Sequence, residues 1–276
     1  MNTTSNEPYD FSGKTFYFGV ETKYGKDLEK NIKYVISCNY KQVENNEFIV
    51  SIERKQFFID GIEPQRLVDQ FANACMEIMY PIKYRVTQKG SFIEFKGFKA
   101  LRKRMQEGVP KIRQQYKGEQ VNEYLQQIGN SLADKEKFSK ALLNDPLYHL
   151  LFMNLFMSKE EVVMSFPAKS FKSPEKFYGI TKAIEVKNNM SGIIFKGETF
   201  KKERIEITKW LNNDDHSLQK INVITEDALG QDKVSYTVIR LKEREEESSN
   251  SSFYLEEEEE EIKVAPKKKK KKWLFF

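Results

Sequence analysis

Histidine and cysteine supply most of the bases, nucleophiles and soft metal ligands that proteins use, and this chain of 276 residues has only two of each. Cys38 and Cys75 are too few for a disulfide framework and lack the paired spacing of a zinc site. Both fall on apolar positions of the patterns below, so they read as buried free thiols in a reducing compartment. His149 lies inside the apolar run LYHLLFMNLFM, where a core histidine with one bonded ring nitrogen is expected rather than a base. His216 closes the run Asn212, Asn213, Asp214, Asp215. Carboxylates beside an imidazole could hold a metal or tune a proton. Asparagine and aspartate are also the residues of tight turns, and a solvent-exposed loop is the expectation here.

No Gly-rich dinucleotide loop, P-loop, nucleophile elbow, His-Glu-x-x-His or paired-cysteine pattern occurs in the chain. A pair of carboxylates brought together in space, as in glycosidases, leaves no mark in a sequence. The expectation is a protein that is not an enzyme and uses no cofactor or metal.

Charge offers a different chemistry. Between Lys96 and Lys117 stand eight cations, Lys96, Lys99, Arg102, Lys103, Arg104, Lys111, Arg113 and Lys117, against the single acid Glu107. The apolar seam of this stretch leaves most of them on its outer face, as a basic face comprising Lys99, Arg102, Lys103, Arg104, Lys111, Arg113 and Lys117. Such a stripe could meet phosphate, anionic lipid, an acidic protein surface or the chain's own glutamates. It could also be a solvated face whose long side chains shield apolar surface.

The end of the chain is stranger. Glu256 to Glu261 are followed, after a short spacer, by Lys267, Lys268, Lys269, Lys270, Lys271 and Lys272, then by Trp273, Leu274, Phe275 and Phe276. Runs of six like charges repel too strongly to enter a core, so they must meet water or a partner. Four large apolar side chains after them suggest a docking tail, in which the aromatics fill a partner's pocket and the lysines steer the encounter. Lysines near an anionic membrane, with aromatics at its interface, describe a peripheral anchor equally well.

The elements that position these groups follow from periodicity. Net charge is +5, of which residues 1 to 241 carry +6 and the remainder −1. Thirteen percent aromatic residues, including 21 Phe, are far from the composition of a disordered chain, so the body folds. Period-two alternation at Phe16, Phe18, Val20, at Ile32 to Tyr40 and at Phe48, Val50, Ile52 predicts three antiparallel strands. Pro64 reads as a first helical residue, with Leu67, Phe71, Ala74, Cys75 and Ile78 at helical spacing up to Pro81. A hairpin follows over 82–96. From Phe98 the period is helical, with Pro110 and Gly118 expected to kink or break it. Asn144-Asp145-Pro146 caps a further helix running through the apolar stretch to Met157, buried on every side. That stretch is shorter than the ~20 residues of a membrane span. Six more alternating segments lie between Val162 and Val238, with turns expected at 188–189, Gly197, 212–215 and 230–231.

The predicted fold class is α+β, a curved antiparallel sheet wrapped on central helices. The division is a flexible N-terminus over 1–11, a single domain over 12–241 and a charged tail over 242–276. The domain comprises strands 12–59, helix 64–80, hairpin 82–96, helices 97–157 and strands 161–241. This order of elements resembles the half-barrel of lipoprotein carriers and related amphiphile-binding proteins. The N-terminus has no basic region followed by an apolar one, so a cytoplasmic protein is expected, with peripheral membrane association as a variant. Its first reading is a non-enzymatic accessory or adaptor protein, binding a protein partner or multiprotein assembly through the tail and the basic face. A carrier for an amphiphile or hydrophobic peptide between sheet and helices is the second, and a tail-anchored peripheral membrane protein the third. Nucleic acid ranks below these as a partner, and oligomeric state has no signature.

Overall fold

Alternating side chains have one consequence once strands pair: a register that aligns the apolar positions builds one continuous apolar face, and a slip of one residue destroys it. In the computed structural model the strands meet this register, with local shifts at Tyr34/Val35, Gln42/Glu44, Arg85/Val86 and Leu218/Lys220. The structure describes residues 11–44, 47–87, 92–153, 155, 158, 160–168, 173–185 and 189–242. Strands β1 (Thr15–Tyr24), β2 (Lys30–Glu44), β3 (Glu47–Ile59), β4 (Ile82–Thr87) and β5 (Phe92–Lys96) form one antiparallel meander. Phe16 pairs with Cys38, Cys38 with Ile52 and Ile52 with Ile82, a row of buried apolar side chains running across four strands.

Strands β6 (Val162–Phe166), β7 (Glu175–Glu185), β8 (Met190–Glu198), β9 (Arg204–Asn212), β10 (Leu218–Glu226) and β11 (Lys233–Arg240) form a second meander. The two join where β1 pairs with β11, Val20 facing Val238, to give one open eleven-stranded sheet in the order β5-β4-β3-β2-β1-β11-β10-β9-β8-β7-β6. The class is therefore α+β with an antiparallel sheet.

Because β5 and β6 are the opposite edges of this sheet, the chain between them must travel from one edge to the other. Ten strand spacings of about 4.8 Å place the edges on the order of 50 Å apart along the sheet. Four helices make the journey: α2 (Phe98–Gln115), α3 (Glu119–Ser131), α4 (Lys135–Leu143) and α5 (Pro146–Phe152), while α1 (Leu67–Met79) sits between β3 and β4. One apolar cluster joins both meanders to Leu101 and Met105 of α2, Phe138 and Leu142 of α4, and Leu147, Leu150 and Leu151 of α5. A smaller cluster, Phe71, Cys75, Ile112, Tyr116 and Leu125, ties α1, α2 and α3 together. Gly108 is needed in this packing, since a Cβ there would lie 2.6 Å from Ile78 Cγ2.

Several local expectations are corrected. Helix α1 begins at Leu67 rather than Pro64, and its first turn is held by Arg66, whose Nε donates to Asp69 Oδ2 at 2.6 Å. Helix α2 runs through Pro110 unbroken, because this proline is on the exposed side, where the carbonyl it leaves unbonded faces solvent. Gly118 does separate α2 from α3. Gly197 lies within β8, and the turn comes two residues later, where Thr199 Oγ1 accepts from the backbone of Lys201 and Glu203, each at 3.2 Å. The apolar helix is short. Asp145 caps it as expected, accepting from Leu147 N at 2.8 Å, but α5 ends at Phe152 and Met153 is extended. Tyr148, His149 and Phe152 are only half-buried, so the helix is not enclosed all round.

The chain divides into Met1–Lys242 and Glu243–Phe276. The expected tail lies outside the described residues, as does the expected N-terminus up to Asp10. Among the described residues no helix is long and apolar enough to cross a membrane.

Candidate functional site

Helix α2 buries Leu101, Met105, Gly108 and Ile112, spaced by four, three and four residues, and so turns the opposite arc outward. At 100° per residue, Arg102, Arg113, Lys99 and Lys103 fall within an arc about 100° wide, centred about 140° from the buried seam. All four are exposed, as are Lys111, about 80° outside the arc on the side of Arg104, and Lys117 beyond the helix end. The only acid in the helix is Glu107, whose Oε1 is 3.9 Å from Lys103 Nζ, with both side chains largely in water. A pair of that kind contributes a few tenths of a kcal/mol at most, so it barely offsets the positive field.

Two members of the predicted stripe are placed differently. Lys96 ends β5 and pairs with Glu94 at 2.5 Å. Arg104 is half-buried and belongs to the fold: its Nη2 donates to the carbonyls of Met79 and Pro81, each at 2.8 Å, and its Nε to that of Ile78 at 3.3 Å. It thereby satisfies carbonyls at the end of α1 that the helix itself leaves unbonded. Burial holds its pKa below the usual guanidinium value. Lys267 to Phe276 lie outside the described residues.

Neither histidine assembles a site. His149 is bonded through Nε2 to the Leu143 carbonyl at 2.7 Å and sits edge-on to Tyr148 and Phe166. Burial lowers its pKa, so at neutral pH it is an uncharged core histidine whose Nε2 donates. His216 belongs to a tight loop in which Asn212 Oδ1 accepts from Asp214 N at 2.7 Å and Asn189 Nδ2 donates to Asp214 Oδ2 at 2.7 Å. Among the described residues no three histidine, cysteine or acidic side chains converge as metal ligands. Both cysteines are free and buried, and burial raises their pKa, that of Cys75 to about 11. Neither is a ready nucleophile at neutral pH.

Three features had no sequence signal strong enough to single them out. Lys209 alternates with Ile205 and Ile207 on the core-facing side of β9, and its Nζ donates to the Met153 carbonyl at the end of α5, at 2.5 Å. Enclosure lowers the pKa of this amine to about 8. A hollow of about 10 Å³, the size of a single water, lies between β3, β4 and the start of α5, lined by Ile52, Tyr80, Ile82, Tyr84, Asp145, Leu147 and Tyr148. Another, of about 20 Å³, lies at the end of the sheet where β9 begins and β10 ends. Each has room for about one water and is far below the ~300–1,000 Å³ of typical small-molecule sites. Of Leu147, Leu150, Leu151, Met153 and Phe156, the residues expected to line any long apolar cavity, the first four are buried within the main cluster and Phe156 lies outside the described residues.

No protein-family model matches the chain, and no curated protein matches it. Among solved structures, one titled "Lipid-protein interactions in lipovitellin" aligns with 84% of this chain at 8% identity and a TM-score of 0.43. The alignment spans 26% of the lipovitellin chain, about a quarter of its length.

Proposed function

We infer that the protein is a non-enzymatic accessory or adaptor protein whose body docks an acidic protein surface through the exposed arc of α2. The observation that carries this reading is the arc itself. Arg102, Arg113, Lys99 and Lys103 share one solvent-facing side of an 18-residue helix, about 27 Å long, with a single weakly paired acid. Such a field raises encounter rates and selects partners by sign. The C-terminal Lys267 to Phe276 segment supplies a second contact in this reading, with the aromatics providing binding energy and the lysines steering. The compartment is cytoplasmic, and the buried free thiols suit it.

The test is affinity capture from native cells using the full chain, a chain ending at Leu241, and the Arg102→Glu/Arg113→Glu pair. Partners retained by the wild-type chain should be lost from the charge-reversed pair and should elute as salt is raised, since exposed charges are screened beyond ~10 Å at 0.1 M salt. Identical capture by all three chains overturns the reading.

A second reading is a carrier for an amphiphile, with the sheet curving around its helices as a half-barrel. Its support is one of position: Tyr80, Tyr84, Asp145 and Tyr148 line a water-sized notch at the helix–sheet interface, which would have to widen to admit an acyl chain. Native mass spectrometry of the protein purified without detergent tests it. A co-purifying lipid released on denaturation supports the carrier, and a mass equal to the bare chain removes it. The peripheral-membrane variant requires flotation with anionic vesicles that is lost when Lys267 to Lys272 become serine.

A further inference from the structure

Large apolar side chains exposed singly are ordinary on a protein surface, but two of them held out on neighbouring rigid turns are not. Phe200 is 86% exposed in the β8–β9 turn and Leu229 is 77% exposed in the β10–β11 turn. Because Arg204 pairs with Glu226 across β9 and β10, both turns leave the same end of the sheet, about two strand spacings or ~10 Å apart.

Each turn is fastened from below. In the first, Thr199 N donates to Glu203 O at 2.9 Å while Thr199 Oγ1 accepts from two backbone amides, and the ring of Tyr178 in β7 packs at a tilt against Phe200 with centroids 4.8 Å apart. In the second, Asp227 Oδ1 accepts from Gln231 N at 2.7 Å and Asp232 N at 3.2 Å. Neither turn needs its apolar residue for its own conformation. Side chains ordered in advance lose little entropy on binding, which is the property of an interface anchor.

Between the turns lies the small hollow of about 20 Å³, with Glu203, Glu226, Asp227 and Asp232 in its wall against one cation, Arg204. Arg204 is 3.4 Å from Glu226. Asp227 is occupied by the amides of its own turn. Glu203 Oε2 is different: it is buried and has no hydrogen-bond partner among the described residues. A buried carboxylate oxygen without a donor is costly, and a ligand that brings a donor removes the cost.

We propose that this end of the sheet is a docking site for a protein segment that presents a lysine or arginine between apolar side chains. The tip of the cation sits at the mouth of the hollow beside Glu203, and the apolar neighbours rest on Phe200 and Leu229. The site is opposite in sign to the arc of α2 and independent of it.

The test uses the full chain and two fluorescent probe peptides, one of alternating lysine and leucine and the other of alternating glutamate and leucine. The lysine probe should bind. Phe200→Ser with Leu229→Ser should weaken it about tenfold or more, the range expected when interface anchors are lost. Glu203→Gln should weaken it roughly three- to tenfold by removing the charge from the hydrogen bond. Because Phe200 and Leu229 lie at the surface, the thermal midpoint of their double variant should not move, and Arg102→Glu/Arg113→Glu should leave lysine-probe binding undiminished. Equal affinity for the two probes, or full affinity in the Phe200/Leu229 double variant, overturns the proposal. So does adsorption to phosphatidylcholine vesicles that depends on Phe200 and Leu229 without any preference for the lysine probe, since that behaviour belongs to a membrane contact.

Discussion

The exposed arc of α2 and the helix–sheet interface beneath it contain the same residue types, used in opposite ways. On the arc, Lys99, Arg102, Lys103 and Arg113 point to solvent and carry one weak ion pair among them. In the interface, Arg104 closes the end of α1 and Lys209 reaches the end of α5, each giving its protons to backbone carbonyls at a helix C-terminus. That end of a helix holds unbonded carbonyls and the negative pole of its dipole, so an enclosed cation there has a reason to be enclosed. Exposed cations act at range and are weakened by salt, whereas enclosed ones act at bonding distance and show themselves in stability. Arg102 and Arg104, two residues apart on one helix, belong to different classes for this reason alone.

The interface itself is most sharply tested by charge of the wrong kind. Leu150 is among the most deeply buried side chains, in the cluster shared by both meanders. Leu150→Asp should cost several kcal/mol and unfold the body, because an unpaired carboxylate cannot be hydrated there. A variant that keeps the wild-type circular dichroism and thermal midpoint would show that α5 is peripheral.

Arg104→Ala should have the next largest effect, about 2 to 3 kcal/mol in urea unfolding, since it strands carbonyls that now accept from a charged donor. Arg104→Lys should recover only part of it, as an ammonium cannot span three carbonyls in the same fork. A loss no greater than that of Arg102→Ala erases the distinction between the two arginines.

Lys209→Met removes both the enclosed charge and the bond to the Met153 carbonyl, and its effect on stability depends on pH. The amine's folded pKa of about 8 is below its ordinary 10.5, so the folded protein carries the burden of an enclosed charge below pH 8 and sheds it as pH rises from 8 to 10.5. The methionine variant has no such burden, so it should stand highest relative to wild type below pH 8. Its stability relative to wild type should fall by about 3 to 4 kcal/mol on passing to pH 11, 2.5 pKa units at ~1.4 kcal/mol each. Taking the difference between the two proteins removes the titration of every other group. A gap that does not change with pH means that the ammonium is hydrated in the folded state.

The smallest effect on stability belongs to the arc. Arg102→Glu with Arg113→Glu should change unfolding free energy by less than about 0.5 kcal/mol, the scale of exposed substitutions. The same pair should weaken capture of an acidic partner several-fold, an effect that fades as salt is raised. A large stability change would place these arginines with Arg104.

Much of this molecule was legible from local pattern. Alternation marked the strands from Phe16 to Val238, because a half-buried strand must put every second side chain in the core. Asn144-Asp145-Pro146 marked the start of α5, because its cap bond is local. The arc of α2 was visible in the spacing of its apolar seam, since a helix fixes which residues lie opposite one another about its own axis. Tertiary structure decided what that axis faces. Arg104 leaves the stripe only because the end of α1 lies within its reach, and a period of 3.6 cannot encode a neighbour that arrives from 25 residues away. The pairing of β1 with β11 separates β5 and β6 to opposite edges and sends the helices across the sheet face. The short α5, the enclosure of Lys209 and the hollow between the β8–β9 and β10–β11 turns follow from the same non-local pairing. Their partners are far apart in the chain and meet only when all eleven strands are in register.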